Sequence, residues 1–165
     1  RLRRHVENEV PEAITHLGSV YRFGRLGLVK SDKKAAKIYR RAVELGDVDA
    51  MVNLGKLYET GSGVKLDKKK AERLYRIGSD RGNATARHNL AVILDGEQNY
   101  EEAFRHFKSA AEQGYASSKY NVGIYLFNGR PPGVERDCVE AIRWFKSAAA
   151  DGHKSAIDAL AHITA

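Results

Sequence analysis

One cysteine in 165 residues, Cys138, excludes two designs at once. No disulfide can close within the chain, and no zinc site can be built from cysteine ligands. That fits a reducing compartment, so an intracellular, cytoplasmic location is expected. Long apolar runs are missing as well: none approaches the roughly 18 residues of a spanning helix. The opening Arg1-Leu2-Arg3-Arg4-His5 is not followed by the apolar segment of a signal peptide. No membrane insertion is expected. A chain that opens on Arg1 rather than Met reads as an excised or processed piece, with any targeting segment lying outside it. Disorder is excluded by an ordinary composition, 42% hydrophobic and 30% charged.

Catalytic constellations are absent too. Gly61-Ser62-Gly63 begins like a dinucleotide loop but follows a helical pattern and lacks the third glycine. The six histidines, His5, His16, His88, His106, His153 and His162, show no metal-ligand spacing, and packing or surface roles account for them. Cys138 follows a helix-capping Asp137, where a helix N-terminus lowers a thiol pKa; the alternatives are a reactive thiol and an inert, partly buried one. Glu101 and Glu102 suit the positive end of a helix and need no further role. The expectation is no enzyme, no cofactor and no metal.

Negative charge is scarce in one half of the chain only. Residues 1–83 carry 19 Lys and Arg against 11 Asp and Glu, a balance of +8, whereas residues 84–165 carry 9 against 10, a balance of −1. The excess gathers in two runs: Lys30, Lys33, Lys34, Lys37, Arg40 and Arg41, then Lys65, Lys68, Lys69, Lys70, Arg73 and Arg76. A solvated outer face is one reading; an electrostatic footprint for nucleic acid is the other.

What is present is a repeat. Aligning Ala35, Ala71, Ala103 and Ala141 places an aromatic four residues later each time, at Tyr39, Tyr75, Phe107 and Phe145, and a glycine seven beyond that, at Gly46, Gly82, Gly114 and Gly152. A second set of small residues, Gly18, Gly55, Ala91, Gly123 and Ala161, follows the glycine of the preceding unit by nine residues wherever that glycine exists. Each unit reads as two helices. In the first, Ala50, Leu54, Leu57 and Tyr58 form one apolar stripe; in the second, Ala141, Trp144, Phe145, Ala148 and Ala149 do so. Ser31, Asp67, Asn99 and Asp137 stand four residues before the alignment alanines, as N-caps of the second helices. A glycine inside a helix costs about 1 kcal/mol against alanine. Its recurrence in the first helix therefore predicts close helix contact there. The spacing from the second-helix glycine to the next small residue is constant while the first-to-second-helix spacing varies, which confines insertions to one edge.

The segment running from Leu54-Gly55-Lys56-Leu57-Tyr58 through Gly61-Ser62-Gly63-Val64 to Asp67-Lys68-Lys69-Lys70-Ala71 resembles the Sel1-like repeat. The resemblance covers residues 11–165 and implies an all-α fold: a right-handed, tetratricopeptide-like α-solenoid of stacked antiparallel hairpins. Repeats are expected over residues 11–47, 48–83, 84–115 and 116–153, with a lone first helix at 154–165 and the tail of a preceding repeat at 1–10. The fourth unit keeps Gly133-Val134 but widens its loop with Pro131-Pro132; the third shortens its loop to Asp95-Gly96-Glu97-Gln98-Asn99 and loses the glycine-valine element.

In such stacks the first helices line the concave side. Two residues before each small residue stand His16, Asn53, Asn89 and Asn121. Asparagine is a mediocre helix former, and its amide donates and accepts at once, which suits gripping an extended backbone. Tetratricopeptide arrays are similar in using asparagines at the corresponding position. The alternative is that these amides bond the neighbouring repeat. Lys56 and Ser19 flank the ladder where Val92 and Ile124 stand later, and Tyr120 is a candidate anchor or a core residue. The expected function is a non-catalytic scaffold, adaptor or assembly subunit that binds another protein or peptide segment within a larger assembly. The alternative is a nucleic-acid-associated subunit acting through its basic first half. The second-helix aromatics fall on core positions, which leaves them unavailable for base stacking.

Overall fold

The computed structural model describes residues 6, 8–129 and 134–164. Among these residues there are nine α-helices and no strand: α1 (Pro11–Phe23), α2 (Asp32–Glu44), α3 (Val48–Thr60), α4 (Lys68–Asp80), α5 (Ala84–Gly96), α6 (Tyr100–Glu112), α7 (Ala116–Asn128), α8 (Cys138–Ala150) and α9 (Lys154–Thr164). Most of the expected tail at residues 1–10 lies outside the described residues, as does the Pro131-Pro132 widening of the fourth loop. The chain divides into two compact units, residues 1–86 and 87–165. In the first, α1 packs on α2, α2 on α3 and α3 on α4; in the second, α6 packs on α7, α7 on α8 and α8 on α9.

Local chemistry sets the helix ends. The side chains of Ser31, Asp67 and Asp137 accept hydrogen bonds from the N–H groups of Lys34 (3.2 Å), Lys70 (3.0 Å) and Glu140 (2.9 Å), which satisfies donors that the first helical turn leaves free. Asn99 departs from the expected pattern. It holds the cap position of α6 but makes no side-chain cap bond, because its amide Nδ2 donates to Glu102 Oε2 at 2.8 Å and is turned toward that carboxylate. At the other end Gly46, Gly82, Gly114 and Gly152 all have φ between 81° and 93°. The next residue's N–H then reaches back to a carbonyl of the last turn: Asp47 to Ala42, Asn83 to Gly78, Tyr115 to Ala110 and His153 to Ala148.

The variable loops share one closure. The N–H groups of Ser31, Asp67, Asn99 and Asp137 donate to the carbonyls of Tyr21, Tyr58, Leu94 and Leu126 at 2.8–2.9 Å. Each acceptor stands three residues after the small residue of the first helix, so loops of different length return the chain to the same place.

The small residues are seats for the aromatics. A Cβ on Gly18 would lie 2.5 Å from the Tyr39 ring, one on Gly55 2.6 Å from the Tyr75 ring, and one on Gly123 2.5 Å from the Phe145 ring. Tyr39, Tyr75, Phe107 and Phe145 are all buried, as are the alignment alanines Ala35, Ala71, Ala103 and Ala141. The close contact expected from the first-helix glycines is thus made to the second-helix aromatic of the same hairpin, at van der Waals distance only because no Cβ intervenes.

Candidate protein-binding surfaces

In the first unit, α1 and α3 present His16, Ser19 and Asn53 on a shared open cleft of about 330 Å³, together with Asp49, Val52 and Thr85. His16 is exposed and Asn53 half-buried. The Asn53 amide is already engaged: Oδ1 accepts from Arg22 Nη1 at 3.3 Å, and Nδ2 donates to the Asp49 carbonyl one turn back at 3.0 Å. Arg22 belongs to α1, so this amide does bond the preceding hairpin. Lys56 is exposed but pairs with Glu59 at 3.1 Å, and Glu59 also accepts from the Tyr75 hydroxyl at 2.9 Å. At the floor of this region the Thr15 hydroxyl is buried without a hydrogen-bond partner among the described residues.

In the second unit, Asn121 lines a pocket of about 210 Å³ with Val92, Asp95, Phe107, Ile124 and Tyr125. Its wall is more apolar than the cleft at His16 and Asn53, and Val92 is 44% exposed. Asn89 is half-buried on α5 and is not among the residues lining this pocket. Tyr120 is engaged in packing: its ring stacks on His153 with centroids 4.8 Å apart and sits 5.7 Å from Phe145. His88 behaves similarly, with Nδ1 2.8 Å from the buried Ser118 hydroxyl and its ring against Tyr115 and Phe107.

The basic runs separate into engaged and free groups. Arg41 pairs with Glu9 and, at 3.1 Å, with Glu44; the bond to Glu9 is the main cause that raises its pKa further above its already high ordinary value. Arg76 pairs with Glu72 at 3.0 Å. Lys34 Nζ lies 5.2 Å from the centroid of the Tyr21 ring. Lys30, Lys33, Lys37 and Arg73 are exposed. The remaining five, Arg40, Lys65, Lys68, Lys69 and Lys70, converge on one cleft of about 740 Å³. Its other walls are Tyr58, Val64, Leu66 and Asp67, residues that sequence reasoning did not single out for binding.

Cys138 is half-buried in the first turn of α8. Among the described residues no group of three or more His, Cys, Asp or Glu is placed to hold a metal ion, and no helix is long and apolar enough to cross a membrane.

The Sel1 repeat profile matches residues 11–47, 48–83, 84–115 and 116–153. An F-box protein of Arabidopsis thaliana is 34% identical over 116 residues, 68% of this chain and 32% of that protein. The chitin synthase regulator SKT5 of Saccharomyces cerevisiae is 30% identical over 139 residues, 79% of this chain and 20% of that protein. The chain therefore spans a third or less of the length of these relatives. Among solved structures, a Sel1 repeat protein from Oxalobacter formigenes superposes with a TM-score of 0.90 at 27% identity, covering 98% of this chain and 66% of that one. The protective antigen c5321 of uropathogenic Escherichia coli, which displays the same repeat fold, gives 0.89 at 26% identity, covering 98% and 35%.

Proposed function

The chain belongs to the Sel1 repeat family of tetratricopeptide-like α-solenoids, whose members are protein-interaction scaffolds, and from that premise we propose that it is a non-catalytic adaptor gripping an extended segment of a partner protein on its first-helix face. In stacked helical hairpins of this kind the first helices line the concave side, which supports the reading. One observation carries the reading: residues two places before the packed small residue open onto clefts, His16 and Asn53 in the first unit and Asn121 in the second, while the aromatics of the second helices are buried. A backbone amide of an extended peptide matches a side-chain amide in both donor and acceptor, so such positions hold a segment with little regard to its side chains. The apolar wall at Val92 and Ile124 adds a place for an apolar side chain.

The test is affinity capture from extract by the wild-type chain and by a variant carrying Asn53→Ala, Asn89→Ala and Asn121→Ala, with and without nuclease and at low and moderate salt. Partners that survive nuclease and salt with the wild type, and are lost with a triple variant of unchanged helical circular dichroism, support the reading. Equal capture by both proteins assigns the amides to repeat packing. Loss of every partner on nuclease treatment moves the function to the basic residues and nucleic acid, a reading favoured by the convergence of Arg40, Lys65, Lys68, Lys69 and Lys70 on one cleft.

A further inference from the structure

The first turn of α4 breaks an electrostatic rule that the other second helices keep. Helix N-termini favour negative charge, because their free N–H groups and aligned peptide dipoles leave partial positive charge there. Asp32 in α2, Glu101 and Glu102 in α6, and Glu140 in α8 comply. In α4 the first turn is Lys68-Lys69-Lys70 with no acid. Only Asp67, the cap residue, offsets it, and its carboxylate is committed to the Lys70 N–H at 3.0 Å and to Lys70 Nζ at 3.5 Å. Among the described residues, Lys65, Lys68, Lys69 and Arg40 have no carboxylate partner. Arg40 reaches the Tyr58 hydroxyl at 3.4 Å. A local rule broken with a single carboxylate to compensate it marks a candidate for a role beyond folding.

The loop that borders the cleft is also held at several points. After α3, Gly61 adopts φ 68° and donates its N–H to the Leu57 carbonyl, Ser62 N–H donates to the same carbonyl at 3.0 Å, and Asp67 N–H closes on the Tyr58 carbonyl at 2.9 Å. Between them Gly63, at φ 68°, lies so close to the start of α2 that a Cβ would stand 2.3 Å from the Asp32 carbonyl carbon and 2.4 Å from the Lys33 nitrogen. The loop is pinned to α2, and Lys65 and Leu66 are held beside α4. Leu66 is 55% exposed, beside half-buried Val64 and Tyr58 in the same cleft, so apolar surface lies among the cations.

We propose that this cleft, bounded by Arg40, Tyr58, Leu66 and the Lys68-Lys69-Lys70 turn, is a second binding site that takes an acidic peptide segment carrying one apolar residue. The carboxylates neutralise the lysines and the α4 terminus together, and the apolar residue covers Leu66. On-rate and specificity come from the charge, and the anchor supplies the orientation. Lys33, Lys37 and Arg40, spaced i, i+4 and i+7 on α2, extend the positive track on one helix face. The apolar residues favour peptide over nucleic acid: a sugar–phosphate backbone has no bulky apolar side chain to cover Leu66, and Tyr58, which bonds Arg40 and has Lys70 Nζ 5.4 Å from its ring centroid, is already engaged by two cations.

The experiment is fluorescence anisotropy on the full 165-residue chain with three labelled probes: a short glutamate and aspartate peptide with a central leucine, the same peptide with alanine there, and an oligothymidine of matching charge. The leucine peptide is expected to bind best. Lys68→Glu with Lys69→Glu is expected to weaken it by roughly tenfold or more while raising the melting temperature of the free chain, because the repaired helix terminus is stabilising. Leu66→Ser is expected to weaken the leucine peptide severalfold and leave the alanine peptide unchanged. A melting temperature that rises as affinity falls separates a binding role from a structural one. Tighter binding of oligothymidine, absence of saturable peptide binding, or indifference to both variants overturns the proposal.

Discussion

The seat of each second-helix aromatic can be tested by adding one carbon atom. Gly55→Ala should stabilise an isolated helix by about 1 kcal/mol, because alanine is the best helix former and glycine among the worst. Here the new Cβ would lie 2.6 Å from Tyr75 Cε1 and 3.1 Å from Cδ1 and Cζ. Carbon atoms prefer about 3.5–4.0 Å, so the ring must retreat by close to 1 Å. It has little room to do so: Tyr75 is 0% exposed and its hydroxyl donates to Glu59 at 2.9 Å. Overpacking costs about 1–3 kcal/mol and a strained hydrogen bond about 1 more, giving a net loss of about 1–3 kcal/mol after the propensity gain. The control is Tyr75→Leu, which removes the part of the ring that collides. In that background Gly55→Ala should become stabilising by about 1 kcal/mol, which yields a coupling energy of about 2–4 kcal/mol. Urea unfolding followed by far-ultraviolet circular dichroism measures all four proteins, with a constant slope confirming that the midpoints report stability. A coupling below about 0.5 kcal/mol, or a stabilised Gly55→Ala in the wild-type background, refutes the packing argument.

Two further predictions concern the caps. Ser31→Ala should cost about 1 kcal/mol, because the Lys34 N–H loses its acceptor, whereas Asn99→Ala should cost less than about half of that, since the Asn99 amide bonds Glu102 and caps nothing; urea midpoints compare the two. Asp67 is held below its ordinary carboxylate pKa of 3.8, first by the Lys70 backbone N–H, so its contribution to stability is present above that value and lost as pH falls through the lower folded one. The melting-temperature gap between wild type and Asp67→Ala should therefore be constant near neutrality and close in acid, and a gap that persists or widens there contradicts the assignment.

The architecture was legible because its determinants recur at every repeat. Three of four cap side chains bond as their positions imply, and the recurring glycine of the first helix seats the second-helix ring of its own hairpin at Gly18, Gly55 and Gly123. Asn99 escaped because cap geometry depends on where a side chain points. With Glu102 three residues ahead, the amide Nδ2 has a charged acceptor, and in the orientation that meets it the side chain makes no cap bond to the backbone N–H groups. The shared loop closure onto Tyr21, Tyr58, Leu94 and Leu126 was also hidden, since a backbone N–H meeting a backbone carbonyl leaves no mark on side-chain identity.

The candidate binding surfaces lie where that logic stops. Asn53 and Asn121 occupy one register and both line clefts, yet the clefts differ in their walls and the Asn53 amide is tied to Arg22 and Asp49, because what stands opposite an asparagine is set by a different residue in each unit. Similarly, the Lys68-Lys69-Lys70 run was visible as charge, but its meeting with Arg40 and Leu66 needed the loop to be drawn onto α2 by Gly63. Periodicity exposes the positions that every repeat must share in order to stack. On the proposed reading a partner is selected at the positions that differ, and there the information resides in the contacts between residues, not in their spacing.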